Sequence, residues 1–269
     1  MTTASRLNAW VEGIGLIGPG LDDWPHAAAV LSGERDYLPA RCALPVPPAL
    51  PPAERRRTGA AVRVALAAGT AAVAAAQRTA ATLPTVFAAS GGDGDNCHAI
   101  CEVLASSERF ISPTRFHNSV HNAPAGYWSI AAQAMAASTS LAAYDASFAA
   151  GLLEAVVQAQ ASGAPCLLIA YDTAYPEPLY AKRPIPDAFA VALVLGTRPS
   201  AQALARVALG FTDGAADRCG IVDLEALRGS NPAARALPLL DALARRRTAT
   251  VVVDYLGPPQ LAVQIEFPA

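Results

Sequence analysis

Asp145 lies in the stretch SLAAYDASFAAGLLEA, where a short β-leaning run passes directly into an alanine-rich helix. A strand-to-helix hinge is a place where α/β enzymes display nucleophiles, so a carboxylate there could attack an acyl centre or orient a base. Upstream, SPTRFHNSVHNAPAGYWSI brings His117 and His121 together with two asparagines, a Pro-Ala-Gly turn and an aromatic pair. A small hydrolase or acyltransferase would use His117 or His121 as the base and Asp145 as nucleophile or orienter. The spacing does not require this, and a partly polar loop packed on the core accounts for the same residues.

Two other clusters suggest chemistry more weakly. The glycine run SGGDGDN follows a strand and opens a helix, as a phosphate cradle would, but it lacks the G-x-G-x-x-G order and a lysine. Asp93 and Asp95 would repel a phosphate, so a tight turn is the expectation. In CHAIC, Cys97, His98 and Cys101 share a helix, yet no second cysteine pair stands nearby to complete a metal site. Neither a metal nor a cofactor is expected.

The composition bounds the remaining possibilities. A chain of 269 residues, 53% apolar and 16% charged, can bury a substantial core. With a net charge of −2 and two short arginine runs, Arg55–Arg57 and Arg245–Arg247, it offers no broad basic face for nucleic acid. The opening MTTASRLNAWVEGIGLIGPG does not read as a secretory leader, and the alanine-rich run 60–77 carries Arg63, which makes it a poor membrane span. Five scattered cysteines suit reduced thiols, and a cytoplasmic, soluble protein is expected.

Strands and helices alternate along the chain. AWVEGIGLIGPG reads as a strand, and the proline-dense segment from Pro39 to Pro52 as an extended connector. One long helix is expected from Glu54 to about Ala81, then a strand at TVFAASGG and a helix capped by Asp95 or Asn96. A helix follows the hinge from Phe148 to Ala161. PCLLIAYDT and AFAVALVLGTR read as strands, the latter buried on both faces. The last seventy residues predict a strand (Ala205 to Gly210), a glycine-rich loop, a helix over NPAARALPLLDALARR, and a hairpin of TATVVVDYL and QLAVQIEF. The fold class is α/β with a largely central sheet.

The order of these segments resembles the β-ketoacyl synthase family, of the thiolase-like fold. VEGIGLIGPG is similar to the family's opening strand and turn, ERRRTGAAVRVALAA to its Arg-Arg helix entry, and VFAASGGDG to its second strand and glycine turn. The S-P segment and N-x-x-A-G helix start of SPTRFHNSVHNAPAGYWSI are also similar, and from Asn122 and Gly126 to Asp145 the spacing matches without a gap. CLLIAYDT resembles the strand that ends in Gly-Gly-Thr-Glu in active members, and PDAFAVALVLGT the closing strand of the first half. The resemblance implies a ketosynthase-like N-terminal domain over residues 1–199, a mixed sheet packed by helices. Residues 200–269 would then form a truncated C-terminal part on the same core.

By that resemblance Asp145 stands where the family places its acyl-accepting cysteine. Thioester exchange onto a thiolate is nearly balanced, whereas transfer onto a carboxylate makes a high-energy mixed anhydride. Active members also carry two histidines in their second half, and this chain has none after His121. The resemblance therefore implies a catalytically silent chain length factor, of the short kind found in aryl polyene or xanthomonadin-type type II polyketide synthesis. Its partners would be an active ketosynthase in a heterodimer and, through the complex, an acyl carrier protein. Carried over by position, the dimer strand comprises Ser138, Thr139, Ser140, Leu141, Ala142, Ala143 and Tyr144. Phe116, Ser119, Val120 and Trp128 are the candidates for shaping the partner's acyl pocket. A purely structural stabilising subunit and the stand-alone hydrolase are the alternatives.

Overall fold

Small residues set how closely helix and sheet approach. Strand β1 (Leu7–Ile17) carries Gly13 and Gly15, and the facing helix α3 (Ala60–Ala75) presents Ala68 and Ala72, with Ala76 capping its C-terminus. A Cβ at Gly13 would collide with the Ala72 carbonyl, and one at Gly15 with the Ala68 carbonyl. The alanine-rich composition is thus a packing device, allowing backbone-to-backbone contact that larger side chains would prevent.

The computed structural model describes residues 7–268, so the first six residues of the segment read for a leader lie outside it. After β1 come α1 (Trp24–Ser32), the proline-dense connector, the single-turn α2 (Pro52–Arg55), α3, and β2 (Thr85–Ala88). Then follow α4 (Gly94–Ala105), α5 (Pro113–His117), α6 (Ala123–Ala132), β3 (Ser138–Leu141), α7 (Ser147–Ser162), β4 (Cys166–Asp172) and β5 (Phe189–Gly196). The chain closes with β6 (Ala205–Thr212), α8 (Val222–Ser230), α9 (Leu237–Ala244), β7 (Ala249–Val253) and β8 (Gln260–Glu266). No helix among the described residues is long and apolar enough to cross a membrane.

The eight strands form one mixed sheet in the order β3-β2-β4-β5-β1-β6-β8-β7. β3, β2 and β4 run parallel, and every other neighbouring pair is antiparallel. Alternation along β4 feeds two cores. Leu168 and Ala170 join a cluster with α1, α7 and α9, while Leu167, Ile169 and Tyr171 join a cluster with α3 and α6. Every residue of β4 and β5 is buried, as the unbroken apolar run of β5 predicts for a strand covered on both faces.

Four elements differ from expectation. The long helix from Glu54 is interrupted: Thr58 Oγ1 bonds back to the Arg55 carbonyl (2.9 Å), and Gly59 is extended before α3 begins. Helix α4 is capped by neither Asp95 nor Asn96 but by Asp93, whose Oδ1 accepts from Asn96 N (3.0 Å). The stretch taken as a glycine-rich loop contains α8, which buries only Leu224, Leu227 and Arg228 and so gives a weak apolar signal. Past it, Pro238 at the start of α9 divides the expected C-terminal helix into a 3-10 turn (Ala233–Ala236) and α9.

The two edges of the sheet are treated differently. At the β7 edge, Asp217 N donates to the Val252 carbonyl, and Val252 N donates to the Asp217 carboxylate (2.8 Å each). At the β3 edge, β2 uses the carbonyls of Ala137 and Leu141, so by alternation Ser138 and Ser140 turn their backbone N–H and C=O groups outward.

Candidate functional site: the elbow at Asp145 and the β3 face

β3 ends at Leu141, and two residues later the chain turns sharply through Tyr144–Ala146 into α7. Ser147 ties this elbow: its Oγ accepts from Ala143 N (3.0 Å) and donates to the Tyr144 carbonyl (2.7 Å). Tyr144 is held at φ +52°, in the left-handed region that a bulky residue normally avoids.

Asp145 follows, 40% exposed, with each oxygen taken by a guanidinium. Arg183 Nη2 donates to Oδ1 (2.6 Å) and Arg235 Nη2 to Oδ2 (3.1 Å). The ion pairing continues. Arg235 Nη1 reaches Asp254 Oδ1 (3.0 Å), Arg228 bonds the other Asp254 oxygen, and Arg228 also grips Glu225 with two bonds (2.8 and 2.7 Å). Three arginines and three carboxylates thus alternate from the elbow into α8 and the end of β7. The Arg228 bonds hold the Glu225 carboxyl at about 2. Because this folded value lies below the ordinary one, Glu225 stabilises the fold above about pH 4.5 and loses that contribution as pH falls toward 2.

Neither histidine reaches this carboxylate. His121 Nε2 lies 3.1 Å from the Ala89 carbonyl, which can only accept, so that nitrogen carries the proton. His117 stands edge-on to Tyr127 at 6.1 Å between ring centroids. The structure therefore does not assemble the pair that a hydrolase would need.

Behind the elbow, Asp172 at the end of β4 is fully buried. Its Oδ1 accepts from Ser90 N (2.9 Å) and Ser90 Oγ (2.5 Å), while Oδ2 has no protein partner. Loss of hydration raises its pKa to about 7. Between about pH 4 and 7 the folded chain therefore holds a proton that the unfolded chain has released, and stability falls as pH rises through that window. Asp172→Asn should melt like the wild type near pH 4 but be more stable at pH 8, by about 2–4 kcal/mol in a denaturant titration. Equal stability of the two proteins at pH 8 would show that burial does not raise the Asp172 pKa.

The candidates around the groove separate into two groups. Phe116 (69% exposed) and Val120 (53%) line an open groove of about 630 Å³ between α5 and α6, with Ile130 and Tyr127. Ser119 is also exposed, its hydroxyl bonded to the Phe116 carbonyl (2.8 Å). A second groove, about 560 Å³, adjoins the first at Asn122, Gly126 and Ser129 and extends to Ser138 and Ser140 on β3. Trp128 requires correction: it is 3% exposed, packed against Gly69 and edge-on to Phe87 in the core, and lines neither groove. Leu104, Phe110 and Met135 are further large exposed apolar residues close in sequence to this face.

Arg183, Arg235 and Asp254 were not apparent from sequence, since they lie far along the chain from Asp145. The usable signal was Arg235, the only charge within the apolar run NPAARALPLL.

Residues 30–219 match the family model described as beta-ketoacyl synthase, N-terminal domain. No curated protein matches the sequence. Among solved structures, the ketosynthase ApeO in complex with its chain length factor ApeC from Xenorhabdus doucetiae aligns with a TM-score of 0.74 and 22% identity, over 96% of this chain and 100% of that one. The ishigamide ketosynthase/chain length factor aligns at 0.73 and 15%, over 97% and 100%. A beta-ketoacyl synthase from Burkholderia phymatum aligns at 0.59 and 14%, over 91% and 71%. The architecture is that of the thiolase-like fold.

Proposed function

The chain belongs to the β-ketoacyl synthase family, and from that premise we propose that it is a non-catalytic chain length factor that pairs with an active ketosynthase. The observation that carries this reading is the state of Asp145. It takes the nucleophile's place in the resemblance, and both its oxygens are engaged by Arg183 and Arg235. A carboxylate so held is a poor nucleophile, and its acyl product would be an activated anhydride rather than a storable thioester. The absence of any histidine beyond His121 agrees, because decarboxylative condensation in the family uses two in the second half.

The β3 face supports pairing. An open strand edge beside exposed apolar side chains is a surface that a stable monomer would cover or charge. The partner's matching strand would add to Ser138–Tyr144, and the Phe116, Ser119 and Val120 side chains would then form a wall of the ketosynthase tunnel. The acyl carrier protein would meet the complex through the ketosynthase, in the cytoplasm, in type II synthesis of the aryl polyene kind that the sequence resemblance implies. The hydrolase reading finds no support in the positions of His117 and His121.

The test is co-expression with a cognate active ketosynthase, with mass read by light scattering and products by mass spectrometry. A one-to-one complex is expected. A monomeric chain that ignores the ketosynthase overturns the proposal. Within the complex, Phe116→Ala should lengthen or blur the product distribution while condensation continues, since each methylene without space costs about 1–3 kcal/mol. Unchanged product length after truncating Phe116 and Val120 would leave the chain a stabilising scaffold and remove its measuring role.

A further inference from the structure

We propose that Tyr144 is the anchor of the partner interface, a preset aromatic ring that receives an apolar or aromatic side chain of the ketosynthase where its strand adds to β3. This rests on the reading of the chain as a ketosynthase-binding subunit and names the residue on which that binding turns.

The ring is unusual in three respects. It is 63% exposed although it belongs to a tightly bonded elbow. Its backbone stands at φ +52°, which glycine or asparagine would adopt without strain, so the turn itself has no need of an aromatic side chain. One face is covered by the Arg183 guanidinium, 3.9 Å from the ring centroid, and Arg183 is fixed in turn by Asp145. The opposite face has no ring or cation partner among the described residues.

Position gives the ring its occupant. Tyr144 stands three residues beyond the end of β3, the strand whose Ser138 and Ser140 turn their N–H and C=O groups outward. A strand pairing along that edge carries its side chains past the elbow. Interface energy concentrates in tyrosine, tryptophan and arginine side chains that are desolvated on binding. A ring already clamped loses little freedom when it is covered, so more of its contact energy is realised as affinity. The same arrangement gives Asp145 a second task, that of holding Arg183 under the ring.

Dilution of the co-expressed complex, with the paired fraction read by mass photometry, tests the assignment. Tyr144→Gly and Tyr144→Asn both accept the backbone geometry and remove the ring. Each should raise the dissociation constant about ten-fold or more, with a melting temperature of the chain no lower than that of the wild type. Tyr144→Phe, which keeps the ring, should recover most of the affinity. If both ring-deleting variants pair within about two-fold of the wild type, the anchor is elsewhere, although the partner role stands. If the wild-type chain itself fails to pair, the functional reading falls and the anchor falls with it.

Discussion

Ser140→Pro is expected to weaken pairing with the ketosynthase about a hundred-fold or more while leaving the chain's own melting temperature nearly unchanged. The reasoning is one of hydrogen-bond direction. β2 draws on Ala137 and Leu141, so the Ser140 N–H donates nothing inside the chain and its loss costs the monomer little. Proline is tolerated on an edge strand when the missing N–H faces outward, and the preceding Thr139 is already extended. An added strand, however, would lose a ladder bond and meet the pyrrolidine ring. Thr139→Pro is the matched control: its N–H faces β2, so that change should destabilise the chain itself. Unaltered pairing by Ser140→Pro would mean that the partner does not use this edge.

The second large effect concerns the charged ladder. Asp145→Ala should lower stability by about 2 kcal/mol, because two largely covered guanidiniums, Arg183 and Arg235, lose a shared counter-charge. Asp254→Ala should cost about as much, since Arg228 and Arg235 each lose one of two carboxylate partners and keep only Glu225 and Asp145 respectively. Solvent at Asp145 moderates the first figure. The double variant Asp145→Ala with Arg183→Ala should recover part of the loss, as expected when a charge and its partner leave together. Urea titrations of the wild type, Asp145→Ala, Arg183→Ala and their double variant check the coupling. Simple additivity of the two single changes would show that Asp145 and Arg183 are not energetically coupled.

Much of the fold could be read from periodicity. The unbroken apolar run Phe189–Gly196 could hardly be anything but a strand covered on both sides, and the turn-bounded pair at the C-terminus could form little but a hairpin. Elements held by few buried residues escaped notice, as α8 did with three. Trp128 is a pocket candidate only by position in the resemblance, and the face of α6 on which it lies puts it in the core. Ala125 lies one turn before it and is buried with it, whereas Gly126, Ser129 and Ile130 turn to the groove. The position of Asp145 came from resemblance, but its environment could not. Its partners lie 38 and 90 positions further along the chain, and no local pattern encodes a bond across such distances.

The bond between Asp217 and Val252 gives the subunit a valence. With Val252 already bonded to Asp217 at the β7 end and the β3 end open, strand addition is favoured in one direction, which gives each chain one preferred connector of this kind. Two monovalent pieces make a closed pair and nothing longer, whatever their concentration. Asp217→Ala would release the Val252 N–H while the Asp217 N–H stays on the Val252 carbonyl, and strand addition at this second end would then begin to compete with pairing.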